Sequence, residues 1–133
     1  MIDHLDHLVL TTVDEDACVR FYVGLLGMKL ETFGPGRRAF QFGTQKINLH
    51  IKGKEFEPKA HVPMPGALDL CFIADRPLEE VVSLLHGKGA EIIEGPVLRT
   101  GAIGPIRSIY LRDPDLNLIE ISEPAPLGSP VTT

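Results

Sequence analysis

Four polar side chains stand in four strand-like runs of this 133-residue sequence, each flanked by aliphatic residues. His7 lies in LDHLVL, His50 in INLHI, Asp69 in ALDLCF and Glu120 in NLIEIS. A strand alternates its side chains, so the flanking aliphatics point to one face and the polar residue to the other. Imidazole plus carboxylate suits a divalent Zn, Ni, Fe, Mn or Co ion, and three protein ligands leave positions open for a substrate. A cation would also compensate a carboxylate placed in a sheet-lined cavity. Taken singly, each of the four is what a strand open on one face carries as a matter of course. His50 shares its face with Asn48 and Lys52, the composition of a solvent face. Asp69 with Ala67, Cys71 and Ile73, and His7 with Leu5 and Val9, read as enclosed. The combination, in equivalent strands of a repeat, is what favours function.

The elements that must position them follow one order twice. A strand over residues 4–11 leads to a helix over 15–26, N-capped by Asp14 and ended by Gly27. Its apolar face is Cys18, Phe21, Tyr22 and Leu25, the helical spacing. Strands at 28–33, 38–42 and 46–51 follow, with Gly43-Thr44 at a hairpin turn. Residues 54–66 carry three prolines and no periodicity, and read as a linker. A strand over 67–74 then precedes a helix opened by Pro77, with Leu78, Val81, Val82 and Leu85 on its face and Gly87 and Gly89 at its end. Strands at 91–94, 107–112 and 118–122 complete the second half, and 95–106 reads as a loop. His7 falls on Asp69 at an offset of 62, and Phe40 on Tyr110 and His50 on Glu120 at an offset of 70. This organisation predicts one domain over 1–122, made of module 1 (1–53), linker (54–66) and module 2 (67–122), with 123–133 a frayed tail.

Composition narrows the classes. Hydrophobic residues at 44% and charged residues at 23% are ordinary for a globular chain. The net charge of -5, with no basic cluster beyond Arg37-Arg38, argues against nucleic acid, as does the absence of Trp. No apolar run is long enough to span a bilayer and the N-terminus lacks a secretory pattern, so no membrane partner and a cytoplasmic location are expected. Cys18 and Cys71 read as small core residues, and His4, His61 and His86 as surface residues.

The segments HLDHLVLTTVDEDACVRFYVGLLGMKLE, FGTQKINLH and GPIRSIYLRDPDLNLIEIS resemble the vicinal oxygen chelate superfamily, the glyoxalase/bleomycin resistance/dioxygenase group. QKINLH and GALDLCFI are similar to its branch of glyoxalase domain-containing protein 5 and virulence-associated homologues. The resemblance implies an α+β fold in which two βαβββ modules form an eight-stranded, partly open barrel-like sheet around a divalent metal. It places the ligands on His7, His50 and Glu120, with Asp69 at the fourth position. In place of the customary Gly of the D-P-D-G-N turn stands Leu116, which the sequence reading attributes to a different turn geometry.

The implied chemistry is that of a metal-dependent lyase or isomerase acting on a small oxygen-chelating carbonyl compound, with Glu120 or Asp69 moving a proton. Two alternatives stand beside it: an extradiol-type Fe(II) dioxygenase, for which two His and one carboxylate also suffice, and a non-catalytic protein that sequesters a drug or toxin. Arg107 is the candidate for steering an anionic substrate, with Arg37, Arg38 and Arg112 as exposed alternatives. The glycines of 95–104 read as a cleft rim. Open sheet edges predict a homodimer.

Overall fold

The computed structural model describes residues 1–128. The chain divides into two compact units, residues 1–68 with 114–116, and residues 69–113 with 117–128 of those described. Each carries one four-stranded mixed sheet, so the α+β class with two βαβββ modules is what forms.

In the first unit the strands are β1 (His7–Thr12), β2 (Lys29–Phe33), β3 (Arg37–Phe42) and β4 (Gln45–Ile51), in the order β1-β4-β3-β2. β1 and β4 are parallel, and the other pairs antiparallel. Between β1 and β2 run the helix α1 (Glu15–Val19) and its π-helical continuation, Arg20–Leu25. The Asp14 side chain accepts from Ala17 N–H at 3.1 Å, as an N-cap should, and Gly27 ends the turn at φ +77°. The single helix read over 15–26 is thus two winding types, with Leu26 N–H reaching back five residues to the Phe21 carbonyl at 3.0 Å. One sheet face buries Leu10, Phe40, Ile47 and Leu49 against Cys18 and Tyr22, and the Tyr22 and Phe40 rings stack at 5.2 Å. Each such side chain stabilises the unit by about 1.5–3 kcal/mol relative to exposure.

In the second unit β5 (Asp69–Ile73), β6 (Glu94–Thr100), β7 (Pro105–Arg112) and β8 (Leu118–Pro124) are ordered β5-β8-β7-β6. The helix α2 (Leu78–Gly87) covers one face, burying Leu78 and Leu85 with Ile109, Leu111, Ile119 and Ile121. Pro77 offers α2 no side-chain cap; instead Glu123 on β8 accepts from Leu78 N–H at 3.0 Å.

Two readings of this half change. Residues 94–100, placed mostly in a loop by Gly95-Pro96, form an edge strand, where a missing N–H can face outward. Gly95 takes φ +102°, and a Cβ there would stand 2.4 Å from the Ser108 carbonyl oxygen, so the close strand approach requires glycine. The second concerns Leu116, which adopts φ +70°. The turn therefore keeps the left-handed geometry that favours glycine, and leucine occupies it under strain. Inside that turn the buried Asp113 carboxylate accepts from Asn117 N–H (2.9 Å) and Nδ2 (2.8 Å). Among the described residues no helix is long and apolar enough to cross a membrane. Of the expected tail, residues 123–124 belong to β8 and 129–133 lie outside the described residues.

Candidate functional site

On the first unit's second face, His7, Val9 and Thr11 of β1 lie in register with Lys46, Asn48 and His50 of β4. The expected environments are inverted. His7 and its neighbours Leu5 and Val9 are exposed, and His7 Nδ1 sits 2.8 Å from Asp6 Oδ2. That hydrogen bond to His7 holds the Asp6 carboxyl below its ordinary range. His50, read as solvent-facing, is only 3% exposed, and neighbouring Asn48 is buried too. Neither ring nitrogen of His50 has a hydrogen-bond partner, nor does Asn48 Oδ1. Burial and then the nearby Arg37 guanidinium push the His50 pKa down, which makes the neutral imidazole its form at pH 7. The Phe56 ring meets it edge-on at 5.7 Å, and the Arg37 guanidinium lies over both Phe33 (5.1 Å) and Phe56 (4.8 Å).

The second unit places Cys71, Glu120 and Tyr110 in one row across β5, β8 and β7. Ser122 ties this face together. Its hydroxyl lies 2.6 Å from Ser108 Oγ, 3.3 Å from Cys71 Sγ and 3.5 Å from Glu120 Oε2. Tyr110 OH accepts from Arg99 Nε at 3.0 Å. Burial raises the pKa of both the Cys71 thiol and the Tyr110 phenol, with Glu120 adding to each, so both stay protonated at neutral pH. Cys71 is exposed rather than a core residue, because its strand face is the one α2 does not cover. Above this row lies a cavity of about 810 Å³, bounded by all four strands β5–β8, the 101–104 turn and residues 124, 125 and 127. Its walls are chiefly Ile73, Ile103, Ile106 and Leu127, and its polar contacts include Glu120, Tyr110 and Arg99. Asp69 is exposed on the same strand face, paired with Leu118.

Arg107 is elsewhere. It projects to the α2 side of β7, where it pairs with Glu79 (2.5 Å) and Glu123 (3.3 Å). Arg99, hidden in the supposed loop, is the arginine that lines the cavity. Strand alternation within Val97–Arg99 was the available signal, and Gly95-Pro96 obscured it.

The registers also revise the repeat. With His7 laid on Asp69, Val9 falls on Cys71, and their partners are Asn48 and Glu120. Asn48 is therefore the first unit's counterpart of Glu120, at an offset of 72, and His50 is the counterpart of Ser122. Phe40 matches Leu111 rather than Tyr110, since both pair with the isoleucine that precedes this position. Asn48 escaped the sequence reading because a slip of two residues keeps the face unchanged.

Residues 4–121 match the Glyoxalase/Bleomycin resistance protein/Dioxygenase superfamily. The chain belongs to that superfamily. It is 56% identical over 123 residues to virulence protein STM3117 of Salmonella typhimurium, covering 92% of this chain and 85% of that protein. The crystal structure of STM3117 superposes with a TM-score of 0.92 at 55% identity, covering 94% and 99% of the two chains. The glyoxalase domain-containing protein RDO1 of Mycosarcoma maydis is 58% identical over 118 residues, 89% of this chain. The match spans 66% of that relative's length. A crystal structure of an integron cassette protein from V. cholerae gives a TM-score of 0.91 at 54% identity, covering 94% of this chain and 98% of that one.

Members of this superfamily often hold a divalent metal, and the two expected imidazole donors, His7 and His50, do not converge on one ion. His7 pairs with Lys46, and His50 lies four residues further along β4. At about 3.3 Å per residue the two backbone stations are roughly 13 Å apart along parallel strands, and side chains that stand roughly perpendicular to a sheet do not close such a gap to one ion. Among the described residues no group of three or more His, Cys, Asp or Glu is gathered for a metal. His50 by itself has the ligand's qualities, being neutral and without a partner at either nitrogen.

Proposed function

We propose that this superfamily member binds a small, largely apolar organic molecule in the cavity of its second unit, against Glu120. The observation that carries the reading is the cavity, about 810 Å³ of space walled by aliphatic side chains with a few polar groups among them. That is the composition of small-molecule sites, in which apolar walls supply affinity and sparse polar groups fix orientation. Glu120 offers a carboxylate whose neighbours, Ser122 and Tyr110, stand on the adjoining positions of the same face. Of the activities considered, sequestration of a ligand needs only this much.

The test is a thermal-shift screen of small organic compounds against the protein and its Ala102→Trp variant, which places an indole at the cavity rim. A ligand at a hundred times its Kd stabilises by about 2.7 kcal/mol. Stabilisation seen in the parent and lost in the variant supports the reading, and stabilisation that survives the indole rejects it.

A second reading, a metal-dependent lyase or isomerase on a small oxygen-chelating carbonyl compound, is favoured by His50 and its two unpartnered nitrogens. In it His50 rather than His7 supplies the imidazole. Its test is a metal-dependent thermal shift that disappears in His50→Ala and persists in His7→Ala.

A further inference from the structure

The geometry points to a small organic acid as the class of molecule the second-unit cavity takes, with Arg99 receiving its carboxylate and the aliphatic wall its apolar body. The inference rests on the binding reading above and names the chemistry of that same cavity.

Arg99 is the one cationic side chain among the described residues that line the cavity. It stands on β6, and its side chain is only 17% exposed. Its orientation is set by the protein: Nε donates to Tyr110 OH at 3.0 Å, Nη1 donates to the Leu98 carbonyl at 3.2 Å, and the guanidinium lies 5.6 Å from the Tyr110 ring centre. A guanidinium held in a plane by such contacts is pre-organised, which lowers the entropy lost when an oxyanion docks on its fork. Glu94, 3.6 Å away and 58% exposed, pairs with it in an ion pair of the weak, solvent-screened kind. A carboxylate arriving beside Arg99 in an apolar cavity makes a charge-assisted contact of the stronger kind.

Glu120 sets the other end. It carries the opposite charge in the same cavity and lies on β8, two strands from Arg99 with β7 between them. Arg99 is in register with Ile106 and Glu120 with Tyr110. Their backbone stations therefore differ by two strand spacings, roughly 9.6 Å, across the sheet and by four residues, roughly 13 Å, along it. The long Arg99 side chain narrows that gap by reaching Tyr110 OH. Tyr110 on β7 separates the two charges, so a ligand lying across β7 meets a cation at one end and an acceptor at the other. The fitting molecule therefore has an acid group, an apolar middle against Ile73 and Ile106, and a hydrogen-bond donor such as a hydroxyl toward Glu120. Arg107 cannot take this role, because Glu79 and Glu123 hold it on the α2 side.

The experiment uses anilinonaphthalene sulfonate as the fluorescent occupant of the cavity and displaces it with phenylacetate or with its neutral isostere phenylacetamide. The full chain is expected to bind the dye saturably and to prefer the acid to the amide by at least about tenfold. Arg99→Gln should bring the two competitors within about twofold, Arg99→Lys should keep part of the preference, and Arg107→Gln should keep all of it. Far-ultraviolet circular dichroism checks the fold of each variant. Equal displacement by acid and amide in the parent, or a preference that survives in folded Arg99→Gln, overturns the inference while leaving the cavity a binding site. No saturable binding of dye or competitor overturns the underlying reading, and this inference with it.

Discussion

His50 and Asn48 sit two residues apart on one face of β4, both buried, and three of their polar atoms have no hydrogen-bond partner. An unsatisfied buried polar group costs about 1–3 kcal/mol, so a protein keeps two of them only where something other than the fold requires them.

The first prediction follows from that cost. His50→Phe keeps a planar ring of similar size beside Phe56 and removes both orphaned nitrogens, so it should stabilise the apo-protein by about 1 kcal/mol. Urea unfolding at pH 8 measures it. A loss of stability would mean that the imidazole makes a contact in the fold after all.

The strained turn gives a second prediction. Leu116 at φ +70° is 67% exposed, so little burial offsets its conformation. Glycine relieves about 1–2 kcal/mol of left-handed strain and returns about 0.4–1 kcal/mol through the freer unfolded chain. Leu116→Gly should therefore gain about 0.5–1 kcal/mol, and Leu116→Ala, which keeps the Cβ, should gain nothing. Thermal melts of the three proteins decide it.

Much of this architecture was legible. The Asp14 cap, the Gly27 stop and the apolar faces of α1 and α2 follow from local chemistry that tertiary context does not alter. Alternation also identified which residues share a face: His7 with Val9, Asp69 with Cys71, Asn48 with His50. It does not say which face is covered: His7 and Asp69, with aliphatic neighbours on their face, are exposed, and His50, with polar ones, is buried. Burial depends on what packs above a strand, as Phe56 does above His50, and that comes from a segment with no periodicity to read. Register was the second blind spot. A two-residue slip preserves every face, so Asn48 and His50 were equivalent candidates until the β1–β4 pairing separated them. Arg99 was lost to Gly95-Pro96, a breaker signal that an edge strand tolerates.

The third prediction separates the two arginines. Glu123 both caps α2 and pairs with Arg107, so its removal undoes a helix cap as well as an ion pair. Glu123→Ala should cost about 1–2 kcal/mol, and Arg107→Met, which leaves the cap in place, should cost less than about 1 kcal/mol. A larger loss from Arg107→Met than from Glu123→Ala would reverse this assignment of roles.

The fourth concerns assembly. We propose a homodimer, supported by the uncovered strand faces that expose Val9 on β1 and Ile73 on β5, both at sheet edges. Sedimentation equilibrium should give twice the 14.6 kDa chain mass, and Val9→Asp or Ile73→Asp should shift the population toward the monomer. A monomer at all concentrations would remove the proposal.

The last prediction is a pH dependence with a determined sign. The folded-state pKa of His50 lies below its ordinary 6.5, because burial and the Arg37 charge oppose protonation. Between the folded value and 6.5 the unfolded chain therefore binds more protons at this site than the folded chain. Stability then rises with pH through that window, and is fully present above 6.5. On acidification the contribution is lost progressively below about pH 6.5, and the loss levels off once pH falls below the folded value. Unfolding free energies at pH 5, 6, 7 and 8 should show this slope in the parent and a shallower one in His50→Phe. The difference between the two profiles isolates His50. If the profiles run parallel from pH 5 to 8, the imidazole is not held neutral by its surroundings, and its assignment as a poised ligand fails with it.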